Sequence, residues 1–415
     1  MTRQPPFLSD EERRSRLARR HLLAPAHRAA TVEQVAEAMV GLHATDPATV
    51  YLSAGARLAR PAAAEVERAL YEDVSLVKLL SMRRTIFAVT EEFAPYVSSS
   101  TARAIAVKER ATLVKHLREG AEGWDEPRLA ATEQAVLAAL AARGEATTTE
   151  LSAAVPALRE TILMAPGKPY EARQSVGSRL LRLLASDGHV RRCRPRGSWV
   201  SSSYPWALVP QWPDLPVREA KAEVVRRWLA AFGPATVEDV KWWTGWTLGD
   251  TRKALADVGA VEVGLSNGPG LVLPGDERPG GEQAVGEQAI GSQADGDQAD
   301  EQRADEPWAA LLPGLDPTVL GWRGRDWYLD PAQVPALFDR AGNPGPTVWW
   351  RGRVVGGWAQ RADGELVWRL LTDLGTEAEP AGRAIAAEAE RLAGWLGQVR
   401  VTPRFRTPLE RELTS

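Results

Sequence analysis

"ARQSVGSRLLRLLASDGHVRRCRPRGSWVSSS", residues 172–203, is the stretch on which the fold reading turns. Residues 172–188 read as a helix with Arg173, Arg179 and Arg182 on its polar side, stopped at Gly188. Residues 189–203 read as two short strands around Pro195-Arg196-Gly197. Upstream, ATEQAVLAALAAR (131–143) is a helix broken by Gly144, and TTTELSAAV (147–155) is a short second helix. Helix, short helix, long basic helix, hairpin is the order of a winged helix.

The same layout recurs over 217–275. VREAKAEVVRRWLAAFG gives a helix ended at Gly233, ATVEDVKWWTG the short second helix, TLGDTRKALADVG the third and AVEVGLSNGPGLVLP the wing. The Gly-rich turns RPRG and SNGPG fall at equivalent places, so the chain holds an internal repeat of winged-helix period. The N-terminal segment is mostly helical and then changes character. Ser9 or Asp10 caps a helix through His21, Thr31 caps the next, and Gly41 ends it. Asp46 ahead of Pro47 caps a third helix, and PAAAEVERALYED is a fourth. LVKLLSMRRTIFAVT (76–90) then reads as strands around a basic turn, Met82-Arg83-Arg84-Thr85.

After residue 306 the pattern shifts to strands rich in Trp and Val: VLGWRGRDWYL, TVWWRGRVVGGWAQR and GELVWRLLT, with VRVTPRF last. RAIAAEAERLAGWLG is one amphipathic helix among them. The expected class is α+β: tandem winged-helix domains followed by a C-terminal β-barrel-like domain. The segments are 1–130 with the candidate catalytic motif, 131–209 and 210–275 as second and third winged helices, 276–306 as a linker, and 307–415 as the β-rich domain.

Residues 276–306 hold ten acids and two arginines, a net of −8 in a chain whose total is −3, so the remainder carries +5. Their GEQAV, GEQAI, GSQAD, GDQAD repeats have little to bury and read as a disordered acidic linker. The mildly basic remainder, with clustered arginines, fits a nucleic-acid partner. Cys193 is the single cysteine, which excludes intrachain disulfides and zinc sites built on two or four cysteines. His21 and His27 are six apart, unlike a ligand pair on a helix, so no metal is expected. No apolar run reaches membrane-spanning length and the charged N-terminus lacks a signal-peptide core, so a soluble, cytoplasmic protein is expected; a monomer is expected alongside.

The candidate chemistry lies in MVGLHATDPATVYLSAGAR (39–57), where His43, Thr45 and Asp46 sit within four positions. One reading makes them a polar helix end, with a cation at a helix C-terminus and a carboxylate capping the next helix. The other makes them an active centre. The sixteen tryptophans could stack on unpaired bases, but most alternate with Val and Leu or lie on helix faces, as core residues do.

GLHATDPATVYLSAGARL (41–58), SLVKLLSMRRTIFAVTEEF (75–93), the paired winged helices and LLPGLDPTVLGWRGRDWYL (311–329) resemble the AlkZ/YcaQ-type winged-helix DNA glycosylases. The likeness extends over nearly the whole chain except the acidic segment. It implies three tandem winged helices and a C-terminal barrel, with no metal or cofactor. It also implies a duplex DNA substrate bearing an alkylated purine, N7-alkylguanine including bulky adducts and crosslinks, and a place in genotoxin self-resistance. The family's catalytic Gln-x-Gln or Gln-x-Asp falls where this chain has His43-Ala44-Thr45-Asp46. Its Met-Arg-Gly-Thr-x-His falls on Met82-Arg83-Arg84-Thr85-Ile86-Phe87, so a Gly and a His are replaced.

The replacement is chemically workable. N7-alkylation makes the base cationic and a good leaving group, so catalysis reduces to steadying an oxocarbenium-like sugar and placing a water. On this reading Asp46 stabilises the sugar cation, His43 (imidazole pKa ~6.5) orients or deprotonates water, and Thr45 holds that water or the sugar. No lysine stands in the motif, which points to a monofunctional enzyme rather than a Schiff-base lyase. Arg83, Arg84 and Thr85 would meet phosphates near the lesion, and Arg173, Arg179, Arg182, Arg194 and Arg196 the flanking duplex. The alternatives are a non-catalytic winged-helix DNA-binding protein or regulator, and a drug-sequestering protein using its Trp-rich C-terminal part.

Overall fold

The computed structural model describes residues 5–164, 167, 171–209, 212–278, 307–403 and 406–415. The expected acidic linker therefore lies almost wholly outside the described residues. The chain divides into two units, the first made of Met1–Ala69 with Ala222–Ser415, the second of Leu70–Lys221.

In unit 1 the capping residues read from the sequence do what their chemistry allows. Ser9 caps α1 (Asp10–Arg20) by accepting from the Glu12 amide, and three acids in the first turn face the positive helix end. Thr31 and Gln34 form a capping box on α2 (Val32–Ala38). Gly41, at φ 110°, turns the chain out of that helix into the two-residue strand β1 (Leu42–His43). Asp46 then caps α3 (Pro47–Arg57).

Unit 2 opens with the hairpin β2 (Leu76–Leu80) and β3 (Ile86–Thr90), in register from Leu76 opposite Thr90 to Leu80 opposite Ile86. The long helices α4 (Arg103–Gly120) and α5 (Glu126–Arg143) follow. Then come β4 (Glu145–Ala146), α6 (Thr148–Ala154), the hairpin β5 (Thr161–Met164) and β6 (Ala172–Ser175), α7 (Val176–Ser186), β7 (Val190–Arg192) and β8 (Trp206–Leu208). The sheet order is β4-β8-β7. Leu113, Leu129, Val136, Leu151, Leu180, Leu184 and Trp206 are among the buried side chains of one core. Three features depart from the sequence reading, the first being that the strand pairing with β7 is β8 at Trp206–Leu208, beyond the expected 189–203. A second hairpin, β5–β6, separates the short helix from the basic one, and Arg173 stands on its strand β6 rather than on the helix. The helix starts only at Val176 because Ser175 caps it.

The chain re-enters unit 1 within α8 (Val217–Phe232), followed by α9 (Val237–Thr244), α10 (Leu248–Asp257) and the hairpin β9 (Val261–Leu265) and β10 (Gly268–Val272). Ala235 bridges Leu271, adding a third short pairing to that hairpin.

Residues 307–415 correct the expected barrel. β11 (Ala309–Leu312), β12 (Thr347–Trp350), β13 (Arg353–Gln360) and β14 (Leu366–Leu370) form an open antiparallel sheet in that order. Two helices pack on the strands: α11 (Ala378–Leu396) against β11 and β12, α12 (Pro408–Thr414) against β13 and β14. Such cover buries a sheet without closure. VLGWRGRDWYL is not a strand. Its amides turn back on nearby carbonyls, Gly321 to Thr318 and Tyr328 to Arg325, while Trp322, Trp327 and Tyr328 fill the core. The aromatics there report burial without extension, and Gly321 serves packing, since a Cβ on it would meet the Phe232 ring at 2.5 Å. Nor is 399–403 a strand; it leads into α12, which Thr407 and Glu410 cap reciprocally.

The tryptophans behave as core. Trp228, Phe232, Trp243, Trp322, Trp327, Tyr328 and Trp349 make a continuous run of ring contacts through unit 1, with centroids 4.8–6.4 Å apart. Among the described residues no helix is long and apolar enough to cross a membrane.

Candidate functional site

His43 ends β1 and is buried, Thr45 is exposed, and Asp46 is half-buried. Two residues in the left-handed region precede them, Val40 at φ 54° and Gly41. This turn reverses the chain and delivers the motif to the N-terminus of α3. Asp46 Oδ1 accepts from the Ala48 amide at 2.9 Å. The carboxylate thus sits at the N-terminal end of α3, where it satisfies one of the helix's free amides. The cap occupies one oxygen and leaves Oδ2 for other partners.

What fixes α3 was not visible in the motif itself. Thr49, Ser53 and Arg57 recur every four residues along one face, and all three meet the turn 314–318. Thr49 donates to the Gly314 carbonyl at 3.1 Å and Ser53 to Asp316 Oδ2 at 2.8 Å. Arg57 and Asp316, both wholly buried, pair through two parallel bonds of 2.7 and 2.9 Å. The other Arg57 donors reach the His21 carbonyl, the Ser53 carbonyl and Thr318 Oγ1. All five N–H donors are thus used, as are both oxygens of Asp316, each twice. On another face, the absent side chain of Gly55 admits the Trp395 ring, which a Cβ would meet at 3.3 Å, and Arg391 donates to the Gly55 carbonyl at 2.9 Å. The helix carrying Asp46 is therefore gripped along its length.

His21 closes the network. Its Nδ1 lies 2.9 Å from Thr318 Oγ1 and its Nε2 3.2 Å from the Ala231 carbonyl. A carbonyl only accepts, so Nε2 carries the proton and Nδ1 accepts from the threonine hydroxyl. Burial, reinforced by the Arg57 charge, holds its pKa well below the ordinary imidazole value.

The second group of sequence candidates belongs to unit 2. Arg83 and Arg84, at φ 52° and 60°, form the tip of the β2–β3 hairpin. Thr85 donates to the Met82 carbonyl at 3.0 Å, and the exposed Arg84 is ion-paired with Glu109. Arg182 is exposed; Arg179 is half-buried, its guanidinium 3.4 Å from the His116 ring. Burial and the neighbouring Arg182 lower the Arg179 pKa. Arg194 pairs with Glu72 at 2.5 Å and Arg196 with Glu150 at 3.5 Å, both on the surface. Exposed pairs of this kind are worth about 0–1 kcal/mol, so a phosphate can displace the carboxylate. Arg173 reaches Thr161 Oγ1 at 3.4 Å. No cluster of three or more potential metal ligands occurs among the described residues.

The profile of the family described as DNA glycosylase AlkZ-like matches residues 36–395. The chain belongs to the AlkZ-like DNA glycosylase family. Among solved structures it is similar to the Streptomyces sahachiroi DNA glycosylase AlkZ, with a TM-score of 0.66 and 22% identity over 94% of this chain and 97% of that one. No curated protein matches. At that identity the structural likeness speaks to the fold, whereas the family match bears on the activity, and the AlkZ-like assignment makes DNA the substrate polymer. The matched span takes in His43, Thr45, Asp46, both hairpin arginines and the Arg57–Asp316 clamp.

Proposed function

We propose that this AlkZ-like protein is a monofunctional glycosylase that hydrolyses the N-glycosidic bond of N7-alkylated purines in duplex DNA, with a role in resistance to the agent that makes them. The observation that carries the reading is the placement of Asp46: a half-buried carboxylate at the N-terminus of a helix locked by a fully bonded Arg–Asp pair. A negative charge held in a rigid frame suits a reaction whose barrier is charge development. The bond from C1′ to N9 breaks, its electron pair neutralises the alkylated ring, and a water oxygen bonds to C1′. Asp46 steadies the sugar cation, His43 takes the proton that water releases, and Thr45 holds the water or the sugar. The helix–hairpin modules at 131–209 and 217–275 act as winged helices. Arg83, Arg84, Thr85, Arg173, Arg179, Arg182, Arg194 and Arg196 lie along the DNA, and no metal or cofactor enters.

The burial of His43 and the cap bond of Asp46 favour a second reading, in which both are structural and the protein binds DNA without cutting it. Single-turnover release of N7-methylguanine, measured beside melting curves, separates the two. On the catalytic reading Asp46→Asn, which keeps an acceptor for the cap, and His43→Ala each lose about 10²–10⁴ in rate while DNA affinity stays within a few-fold. Full excision by both folded variants would return the motif to a polar helix end. Asp46→Ala should in either case lose roughly 0.5–2 kcal/mol of stability.

A further inference from the structure

Unit 2 contains a group of side chains that the motif reading does not use. Lys78, the middle residue of β2, donates to the Tyr71 hydroxyl at 2.8 Å. The strands β2 and β7 pack together, and Arg192 at the end of β7 brings a second cation to the same place. The Arg192 guanidinium lies 4.7 Å above the Tyr204 ring and 5.7 Å from that of Trp206, its cross-strand partner. Arg182, on α7, adds further positive potential at Arg192. Arg194 lies over the other side of the cluster, 6.0 Å from the Tyr71 ring, and is paired with Glu72.

No carboxylate is bonded to Lys78 or Arg192 among the described residues. The strand β3 beside Lys78 has the sequence IFAVT, and α7, which packs on β2, holds no acid, so neither element supplies a counter-charge. Two like charges gathered in a half-buried site without a counter-ion cost free energy. The fold relieves that cost by letting Lys78 lose its proton: burial first, and Arg192 second, bring its pKa down to about 7. Stacking on aromatic faces leaves the guanidinium edge of Arg192 free to donate, and a protonated Lys78 has two N–H bonds beyond the one to Tyr71. Paired N–H donors over an aromatic floor match the oxygens of a phosphate.

We propose that Lys78 and Arg192, seated on Tyr71 and Tyr204, form a phosphate site that takes a backbone phosphodiester of duplex DNA. The identity of the partner rests on the AlkZ-like assignment; the anion chemistry does not. A phosphate in the site restores the Lys78 proton, so binding takes up a proton near and above neutrality, and affinity falls as pH rises above about 7 by up to ten-fold per unit.

The test uses the full chain and a short unmodified duplex, titrated calorimetrically at several pH values in buffers of different ionisation enthalpy. Proton uptake that disappears in Lys78→Met is expected, with the slope of log K against log salt lower by roughly 0.9. Lys78→Arg should bind as tightly as wild type at pH 6.5 and lose the pH dependence. A parallel titration follows the Lys78 side-chain resonance, which should move to higher pKa with duplex and less with inorganic phosphate at equal occupancy of charge. Uptake that persists in Lys78→Met overturns the proposal, as does pH dependence that persists in Lys78→Arg should the Met variant not fold. A response to inorganic phosphate with none to duplex overturns the assignment to DNA. Excision is not read in these experiments, so failure of the His43–Asp46 reading and failure of this site are separate results.

Discussion

Arg57 shows how a single residue can be costly alone and stabilising in company. It lies wholly buried, yet every N–H meets an acceptor and its charge meets Asp316 at 2.7 Å. Removing one partner leaves the other charge stranded, so Asp316→Asn should lose about 3–5 kcal/mol, read as a drop in the urea midpoint. His21 makes a second prediction at this scale. Its folded pKa is depressed, so below the ordinary value of ~6.5 the unfolded chain binds a proton that the folded chain refuses. Stability is therefore flat above that pH and falls as pH drops below it. His21→Gln should flatten the acid limb of the melting-temperature profile, and an unchanged limb would assign it to other groups. None of this network was legible in the sequence. Thr49, Ser53 and Arg57 at four-residue spacing are the trace it leaves, but their partner stands 259 residues away from Arg57. The local role of Asp46 was legible, since an Asp before a Pro at a helix start caps through its own neighbours.

At the scale of elements, the β2–β3 hairpin holds a contradiction that points to use. Two consecutive arginines occupy the left-handed region at its tip, where a glycine would sit without strain. The resemblance to the glycosylase family carries Gly at the position of Arg84. Arg84→Gly removes about 1–2 kcal/mol of strain and adds roughly 0.5–1 kcal/mol of unfolded-state entropy. The expected result is a protein slightly more stable by melting, with weaker DNA binding and a salt slope smaller by roughly 0.9. Loss of stability without loss of affinity would make Arg84 a packing residue. Hairpin and caps were readable because their signals are local. The β5–β6 hairpin and the turns at 319–329 were not. Arg173 fits a helical face as well as a strand, and the Trp pattern of 319–329 reports burial without saying which backbone achieves it.

At the scale of the whole molecule, the charge is unevenly spread: the segment 276–306 carries −8 against +5 for everything else. An acidic stretch competes with DNA phosphates for the same arginines, or at best ignores them. Deleting 279–306 should leave duplex affinity equal or higher at low salt, with the difference vanishing as salt is raised; a clear loss of affinity would show that the segment contributes to binding. Its first residue is not part of that segment's freedom to be trimmed. Asp276 is wholly buried, held by Arg16 at 3.1 Å and Arg20 at 2.5 Å, so a deletion must begin beyond it.

The division of the chain into a unit interrupted between Ala69 and Ala222 sets a timetable for its synthesis. A ribosome adding about 5–20 residues per second finishes unit 2 while about three-quarters of unit 1 is still unmade. Arg57 leaves the tunnel 259 residues before Asp316, a delay on the order of tens of seconds. Throughout it, α3 has no turn 314–318 to dock on, and an arginine destined for a dry interior stays in water. The later half of the chain does not merely extend this protein; its arrival gives the helix behind Asp46 the partner it closes on.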